Sequence, residues 1–139
     1  MVGSTKTTVT DTGNGFQGAL GLPTDWYKPE GNVAPKGWRD SVAMTAPGTI
    51  EVRGWAFDPN HIDLPDKYYV TVDGVQKPTQ TTAVSRPDVQ QVFGLLTPMV
   101  GYSQTYQVSV GVHTVCVVAL DLDGGPNTGL GCGKVTVTA

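Results

Sequence analysis

The chain has 139 residues and is rich in Val (20), Thr (18), Gly (18) and Pro (10), whereas it contains only 2 Glu. Val and Thr are stiff at χ1 and suit a pleated strand, while helical bundles depend on straight side chains such as Glu, Leu and Lys. This composition predicts an all-β protein. With 9 Lys and Arg scattered singly among 12 Asp and Glu, the net charge of −3 argues against a nucleic-acid partner.

The sequence contains neither a membrane-spanning segment nor a secretory signal of the usual kind. Its longest apolar runs, such as residues 115–120, are far shorter than the roughly 20 residues that a spanning helix needs. The start, MVGSTKTTVT, lacks the basic region and the apolar stretch of a signal peptide. We therefore expect a protein made in the cytoplasm, without a membrane partner and without export by the usual route.

Residues 1–46 differ from the remainder of the chain. Gly or Pro occurs every few positions there, and no period of 2 or 3.6 is sustained. This irregular pattern predicts an extended N-terminal arm with turns over residues 1–46. Residues 47–139 are rhythmic and are predicted to form one domain.

The first part of the domain contains three predicted strands. Residues 49–57 alternate and end at the turn Asp58-Pro59-Asn60, and Trp55 is expected in the core. Residues 68–73 and 76–84 are joined by Asp73-Gly74, a strong signal for a two-residue hairpin.

A short helix and three more strands follow. Ser85 is the predicted N-cap, Pro87 lies in the first turn and Gly94 is the predicted C-terminal cap. The remaining strands are a hairpin about Gly111 and a last strand: residues 105–110, 112–120 and 130–138. About six strands with one helix exclude βαβ units and predict an antiparallel two-sheet β-sandwich.

Cys116 and Cys132 occupy comparable positions in the last two predicted strands. If those strands are neighbours, the sulfurs meet in a disulfide that closes about 16 residues and contributes roughly 3 kcal/mol in the chain-entropy model. The alternative is that both are reduced, small apolar residues of the core. The disulfide is the favoured interpretation, and a mass measurement without reductant distinguishes the two.

Residues with catalytic or metal-binding chemistry are sparse. The only histidines, His61 and His113, lie outside any HExxH or CxxC pattern, and Glu51 stands alone while most Asp residues fall in turns. Residues 121–127 (DLDGGPN) alternate oxygen donors as a calcium loop does, but they lack the final bidentate Glu, so ordinary turn chemistry is the preferred explanation. We expect no catalytic residue, no metal and no cofactor.

Several large apolar side chains lie in the Gly- and Pro-rich arm, where an isolated chain has little to bury them against. One interpretation is that they fold back over a sheet face. The other is that they anchor the protein in a partner, because Trp and Tyr dominate interface hot spots. The candidate partner-binding residues are Phe16, Leu20, Trp26, Tyr27 and Trp38.

A set of short motifs resembles a known kind of module. They are GWAFDP (54–59), VTVDG (70–74), RPDV (86–89), GY (101–102), GVHTVC (111–116) and LGC (130–132). In this order they resemble a small immunoglobulin-like β-sandwich module of actinobacterial secreted and cell-wall proteins and of structural proteins in their phages. The resemblance implies structural roles: Asp88 caps a helix, Arg86 pairs with a nearby carboxylate and Trp55 fills the core. It implies no shared active site.

An extracellular type of sandwich that starts at Met1 without a signal predicts a component of a phage particle. The leading hypothesis is a non-enzymatic capsid decoration protein on the virion surface. Its arm (residues 5–39) would bind the major capsid protein through main-chain pairing and aromatic anchors, while the sandwich projects outward. Homo-trimers around a capsid symmetry axis would multiply weak contacts.

The alternative hypothesis is a tail or cell-wall-associated module. It would bind a host-surface glycan through the loops at residues 58–66 and 121–129. An enzyme fragment would need a catalytic partner domain that these 139 residues do not contain.

Overall fold

The computed structural model describes residues 31–139 of the chain. All of the described strands and the helix lie in one compact unit, Ala34–Ala139. Four of the candidate anchors, Phe16, Leu20, Trp26 and Tyr27, lie outside the described residues, so the structure gives no account of them.

Two antiparallel sheets face each other across one core. The three-stranded sheet has the order β1-β2-β6, and the larger sheet has the order β4-β3-β7-β8, with β5 also paired to β3. The elements are β1 (Lys36–Ala46), β2 (Thr49–Phe57), β3 (Lys67–Val72), β4 (Val75–Gln76), β5 (Gln80–Thr81), α1 (Pro87–Phe93), β6 (Gly101–Gln107), β7 (Gly111–Leu120) and β8 (Thr128–Val137). The predicted all-β antiparallel sandwich with one short helix is confirmed.

Period-2 alternation explains which side of each strand is buried. In β2 the residues from Ile50 onward alternate inward and outward, and the inward side chains of β3 and β7 oppose them. Tyr68 of one sheet packs on Tyr102 of the other, with ring centroids 4.6 Å apart. The core cluster is Ile50, Val52, Ala56, Tyr68, Val70, Val72, Tyr102, Val115, Val117, Ala119, Leu130, Val135 and Val137.

The hairpin at Asp73-Gly74 is confirmed. Both residues have positive φ, 51° and 82°, as a type I′ turn requires. The strand predicted over residues 76–84 is instead broken into the two-residue strands β4 and β5. Pro78 lies between them, and proline has no amide hydrogen to donate to a ladder.

Strand β1 differs from the sequence prediction, which placed residues 36–46 in the irregular arm. The structure pairs Lys36–Ala46 with β2, with register shifts between Arg39 and Ser41 and between Met44 and Ala46. These irregularities interrupt the simple alternation that a sequence pattern would detect. The sandwich therefore begins about ten residues before the predicted boundary at residue 47.

The predicted hairpin about Gly111 is wrong. Strand β6 pairs with β2 in the three-stranded sheet, whereas β7 pairs with β3 and β8 in the larger one. The backbone N–H of Val108 donates to the carbonyl of Gly48 at 2.9 Å, which holds the end of β6 on its own sheet. Gly111, with φ of 132°, then allows the chain to cross between the sheets.

Helix α1 has the predicted end but not the predicted start. Gly94 adopts the left-handed conformation, and its N–H bonds to the carbonyl of Gln90. The N-cap is Arg86, not Ser85, and no side chain caps the first turn. Asp88, expected as a cap, instead accepts hydrogen bonds from the Arg86 side chain.

Candidate functional site

Two loops meet at one end of the sandwich and form what we call the acidic end: Asp58, His61, Asp66, Asp121 and Asp123. Asp58 directly follows β2, Asp66 directly precedes β3 and Asp121 directly follows β7. The Asp58 carboxylate accepts a hydrogen bond from the N–H of Leu122 at 2.9 Å, which ties the two loops together.

Local turn chemistry shapes both loops, as the sequence predicted for residues 121–127. Asp58 Oδ1 accepts from the N–H of Asn60 at 2.9 Å, and Asp121 Oδ1 accepts from the N–H of Asp123 at 2.9 Å. Asn127 Oδ1 in turn accepts from the N–H of Asp121 at 3.0 Å. These bonds fix the backbone of each loop, so the acidic side chains are held in defined positions.

Three carboxyl groups of the acidic end are buried, which is unusual for Asp. Asp58 and Asp66 have no exposed surface, and Asp121 is 7% exposed. Burial raises the pKa of Asp58 against the lowering effect of its backbone hydrogen bonds, and the neighbouring Asp121 raises it further. Burial also raises the pKa of Asp66 to about 7, and the charges of Asp58 and Asp121 act in the same direction.

His61 lies at the exposed rim of this cluster. Its Nε2 is 2.8 Å from Asp123 Oδ1, and this hydrogen bond is the main cause of the raised pKa of His61. Asp58, His61 and Asp123 each offer one ligand atom, and these atoms all lie within 4.8 Å of one another. The arrangement is a donor set that can hold a divalent cation.

The sequence suggested a joint role for the loops at residues 58–66 and 121–129 but did not predict contacts between their acidic side chains. Asp58 and Leu122 are 64 positions apart, and nothing local in the sequence links them. The usable signal was that Asp58 and Asp121 each directly follow a long apolar strand, which is where a sandwich gathers its loops.

The outer surface of the three-stranded sheet carries what we call the aromatic face: Trp38, Trp55, Phe57 and Phe93. Trp38 in β1 is the register partner of Trp55 in β2. The Trp55 ring lies 5.3 Å from the ring of Phe93 in α1, and Phe57 lies 5.0 Å from Phe93. Trp55 is therefore half-buried beneath the helix and outside the central core, which corrects the expectation that it fills the core.

Trp38 is the exposed member of the aromatic face, with 59% of its surface accessible. Its backbone is fixed, because the Tyr102 hydroxyl donates to the Trp38 carbonyl at 3.0 Å. Gly54 leaves room for this contact, since a Cβ at that position would overlap both partners. Trp38 is thus an exposed aromatic side chain on a rigid backbone.

Arg86 joins the helix region to β1 beside this face. Its guanidinium donates to Asp40 at 2.8 Å and to Asp88 at 2.8 Å, the kind of carboxylate pairing that the sequence resemblance implied. The ion pairs lie at a cleft of about 320 Å³ lined by Asp40, Ser41, Arg53, Gly54, Val84, Arg86 and Tyr102.

A Ser–His–Asp series of contacts resembles a catalytic triad but cannot activate its serine; it consists of Ser109, His113 and Asp73. His113 Nδ1 is 2.5 Å from Asp73, and Ser109 Oγ is 3.4 Å from His113 Nε2. However, Nε2 is only 2.6 Å from the carbonyl oxygen of Ser109, so this nitrogen carries a hydrogen and donates it there. A histidine that donates from both nitrogens cannot accept the serine proton, so the arrangement does not activate Ser109.

The fold is similar to that of solved structures. The chain superimposes on the fibronectin(III)-like modules of CbhA from Clostridium thermocellum with a TM-score of 0.52 and 19% identity, over 76% of this chain and 47% of that one. The domain therefore has a two-sheet β-sandwich fold similar to that of these fibronectin(III)-like modules. At this identity the similarity concerns the fold.

Two weaker similarities are to larger enzymes. An endo-beta-1,4-mannanase from Thermotoga petrophila gives a TM-score of 0.45 at 16% identity, over 78% of this chain and 21% of that one. A family 28 exopolygalacturonase from Yersinia enterocolitica gives a TM-score of 0.44 at 10% identity, over 77% of this chain and 21% of that one. The chain spans about half of the first of these three structures and about a fifth of the other two. No family model and no curated protein matches the sequence.

The two cysteines of the domain are joined in a disulfide. Cys116 and Cys132 are direct register partners on β7 and β8 and lie on the outer surface of the larger sheet, Cys116 half-buried and Cys132 exposed. The guanidinium of Arg39 donates to the Cys132 carbonyl at 3.1 Å, which links β1 to β8 beside the bridge.

Within residues 31–139, the α1 segment is a seven-residue helix, and none of the described helical structure has the length and apolarity to cross a bilayer.

Proposed function

We propose that this chain is a non-enzymatic structural protein of a phage particle, a capsid decoration protein located on the virion surface. Its N-terminal arm binds the major capsid protein and the sandwich projects outward. The observation that carries this proposal is the position of Trp38: it is 59% exposed and lies two residues after the start of β1, where the N-terminal segment enters the sandwich.

Trp38 has the properties of a binding anchor. A Trp buries a large apolar area when it enters a partner pocket, and such residues dominate interface energetics. Because Tyr102 and the β2 ladder hold the Trp38 backbone, little backbone entropy is lost on binding. The motif resemblance to modules in phage structural proteins agrees with this role, and clustering as trimers on the particle would raise the overall affinity.

The bounds of β1 decide where the chain can be truncated to test the role of the N-terminal arm. Deleting residues 1–40 would remove part of β1, whereas deleting residues 1–33 leaves the unit Ala34–Ala139 complete. We expect the chain lacking residues 1–33 and the variant Trp38→Ala each to occupy purified capsids less than the full chain, as measured by co-sedimentation.

A matched control is available for the side chain. Val112 on β7 is 62% exposed, close to the exposure of Trp38, but lies on the larger sheet. Val112→Ala should bind capsids like the unchanged chain, and circular dichroism should show that all variants are folded. Full occupancy by both the truncated chain and Trp38→Ala would overturn the proposal.

A second candidate function is a tail or cell-wall module that binds a host-surface glycan. The observation that favours it is that the loops at residues 58–66 and 121–129, far apart in sequence, form one polar surface through the Asp58 to Leu122 and His61 to Asp123 hydrogen bonds. Saturable binding to purified cell wall, weakened by Asp123→Asn while capsid occupancy is absent, would favour this function.

A further inference from the structure

The acidic end contains a completely buried carboxyl group, that of Asp66. Asp66 is completely buried, and both of its carboxylate oxygens lack a hydrogen-bond partner among the described residues. Its backbone, in contrast, is satisfied: its N–H donates to Thr82 Oγ1 at 3.0 Å, and its carbonyl accepts from the Thr82 N–H at 2.8 Å. The fold thus fixes the Asp66 backbone firmly and leaves its carboxyl group without a side-chain partner among the described residues, while the backbone N–H of the adjacent Lys67 acts to lower its pKa.

Other acidic groups of this end act electrostatically on the Asp66 carboxyl group. The charges of Asp58, with no exposed surface, and Asp121, 7% exposed, act on Asp66, and among the described residues His61 at the rim acts in the opposite direction. Burying several carboxylates together without a compensating cation is costly. A bound divalent cation removes that cost.

We propose that the acidic end binds one calcium ion, with Asp58, Asp66 and Asp121 as buried carboxylate ligands and Asp123 as a ligand from the rim. Calcium takes six to eight oxygen ligands and tolerates irregular geometry, which suits carboxylates from three separate segments. Asp58 and Asp123 already present oxygens within 4.8 Å of each other. The inference is independent of the partner to which the module binds.

His61 is a positioning residue in this site. Its Nε2 lies 2.8 Å from Asp123 Oδ1, so it orients that carboxylate toward the cluster and leaves the second oxygen available. Calcium prefers oxygen donors, whereas zinc accepts imidazole nitrogen readily. The two ions therefore make opposite predictions for a variant without the imidazole.

The direct experiment is a calcium titration of the chelator-treated full chain by calorimetry, together with its melting temperature in calcium and in chelator. We expect one saturable site. At a free calcium concentration of about 100 times Kd, the melting temperature should rise by roughly 10 °C.

The variant Asp66→Asn distinguishes an effect on calcium binding from an effect on folding. The neutral amide removes a buried, unpartnered charge, so in chelator this variant should melt at or above the temperature of the unchanged chain, and it should show no calcium-dependent shift. Asp123→Asn, at the exposed rim, keeps the test valid if the buried substitution fails to fold, and it should weaken calcium binding at least about tenfold. Asp63→Asn, an exposed position in the same loop, is the matched control and should bind calcium normally.

Three results would overturn the proposal. The first is an identical melting temperature in calcium and chelator with no saturable binding. The second is calcium affinity that Asp66→Asn and Asp123→Asn leave unchanged. The third is tight binding of zinc but not of calcium, abolished by His61→Ala, which would assign a nitrogen-ligated site instead.

Discussion

Asp73 and His113 join the β3–β4 turn to strand β7 through a hydrogen bond of 2.5 Å between Asp73 Oδ2 and His113 Nδ1. The other nitrogen of His113 donates to the Ser109 carbonyl at 2.6 Å, and Asp73 Oδ1 accepts from the N–H of Thr114 at 2.8 Å. Both ring nitrogens of His113 therefore face acceptors, which favours the imidazolium form.

The first prediction concerns the pH dependence of stability. The hydrogen bond to Asp73, followed by that to the Ser109 carbonyl, raises the pKa of His113 above its ordinary value of 6.5. A group with a raised pKa contributes stability that is fully present below about pH 6.5 and is lost as the pH rises through the raised pKa. The backbone N–H of Thr114, followed by His113, lowers the pKa of Asp73, so its contribution is lost only as the pH falls through that lowered pKa.

The measurement is urea unfolding of the unchanged chain and of His113→Gln at about pH 5.5 and about pH 9. The stability difference between the two proteins should be larger at the lower pH, and titrations elsewhere in the molecule cancel in that difference. A difference that stays the same at both pH values would show that His113 is not charged in the folded protein.

The sequence could predict the parts of this fold that depend on neighbouring residues. The Asp73-Gly74 turn and the Gly94 helix end depend on backbone conformations that few residue types adopt, so a short motif determines them. Strand β2 was predicted with its observed bounds because its alternation is uninterrupted.

The features of the fold that the sequence did not predict depend on contacts between residues far apart in the chain. Strand β1 is ordered by its pairing with β2 despite irregular local composition, and β6 and β7 separate because each has a better partner elsewhere. The acidic end arises only when Asp58 and Asp121 are brought together by the packing of two sheets. The position of each Asp at the end of a strand was the only sequence signal of this contact.

The second prediction concerns Gly54, which lies in β2 directly beside β1. A Cβ at this position would overlap the Trp38 carbonyl oxygen and the Tyr102 hydroxyl, neither of which can move without breaking their hydrogen bond. We expect Gly54→Ala to lower the free energy of unfolding by roughly 1–3 kcal/mol. Gly129→Ala is the matched control, because a Cβ there meets nothing within 4 Å. Equal stability of the two variants in urea unfolding would contradict the close packing of β1 on Tyr102.

The third prediction concerns the disulfide. The bridge between Cys116 and Cys132 spans a sequence separation of 16, so the chain-entropy model assigns it about 3 kcal/mol. The double variant Cys116→Ala, Cys132→Ala should lose that amount and should be insensitive to reductant. Mass analysis before and after reduction and alkylation checks the bridge itself. Unfolding curves of the unchanged chain that coincide with and without reductant would argue against a stabilising role.

The fourth prediction concerns the ion pairs of Arg86, which connect β1 to the start of α1. Arg86→Met removes charge-assisted hydrogen bonds to Asp40 and Asp88, both partly exposed, so we expect a loss of about 1 kcal/mol that shrinks in high salt. Arg86 lowers the pKa of Asp88 to about 2. A lowered pKa gives a contribution that is present above the ordinary value of 3.8 and is lost as the pH falls toward 2, so the effect of the substitution should diminish over that range. Arg53→Met is the control, because Arg53 lines the same cleft without an ion pair among the described residues. A comparable loss in both variants would mean that the aliphatic stem of each arginine, and not the ion pairs, stabilises this side of the sandwich.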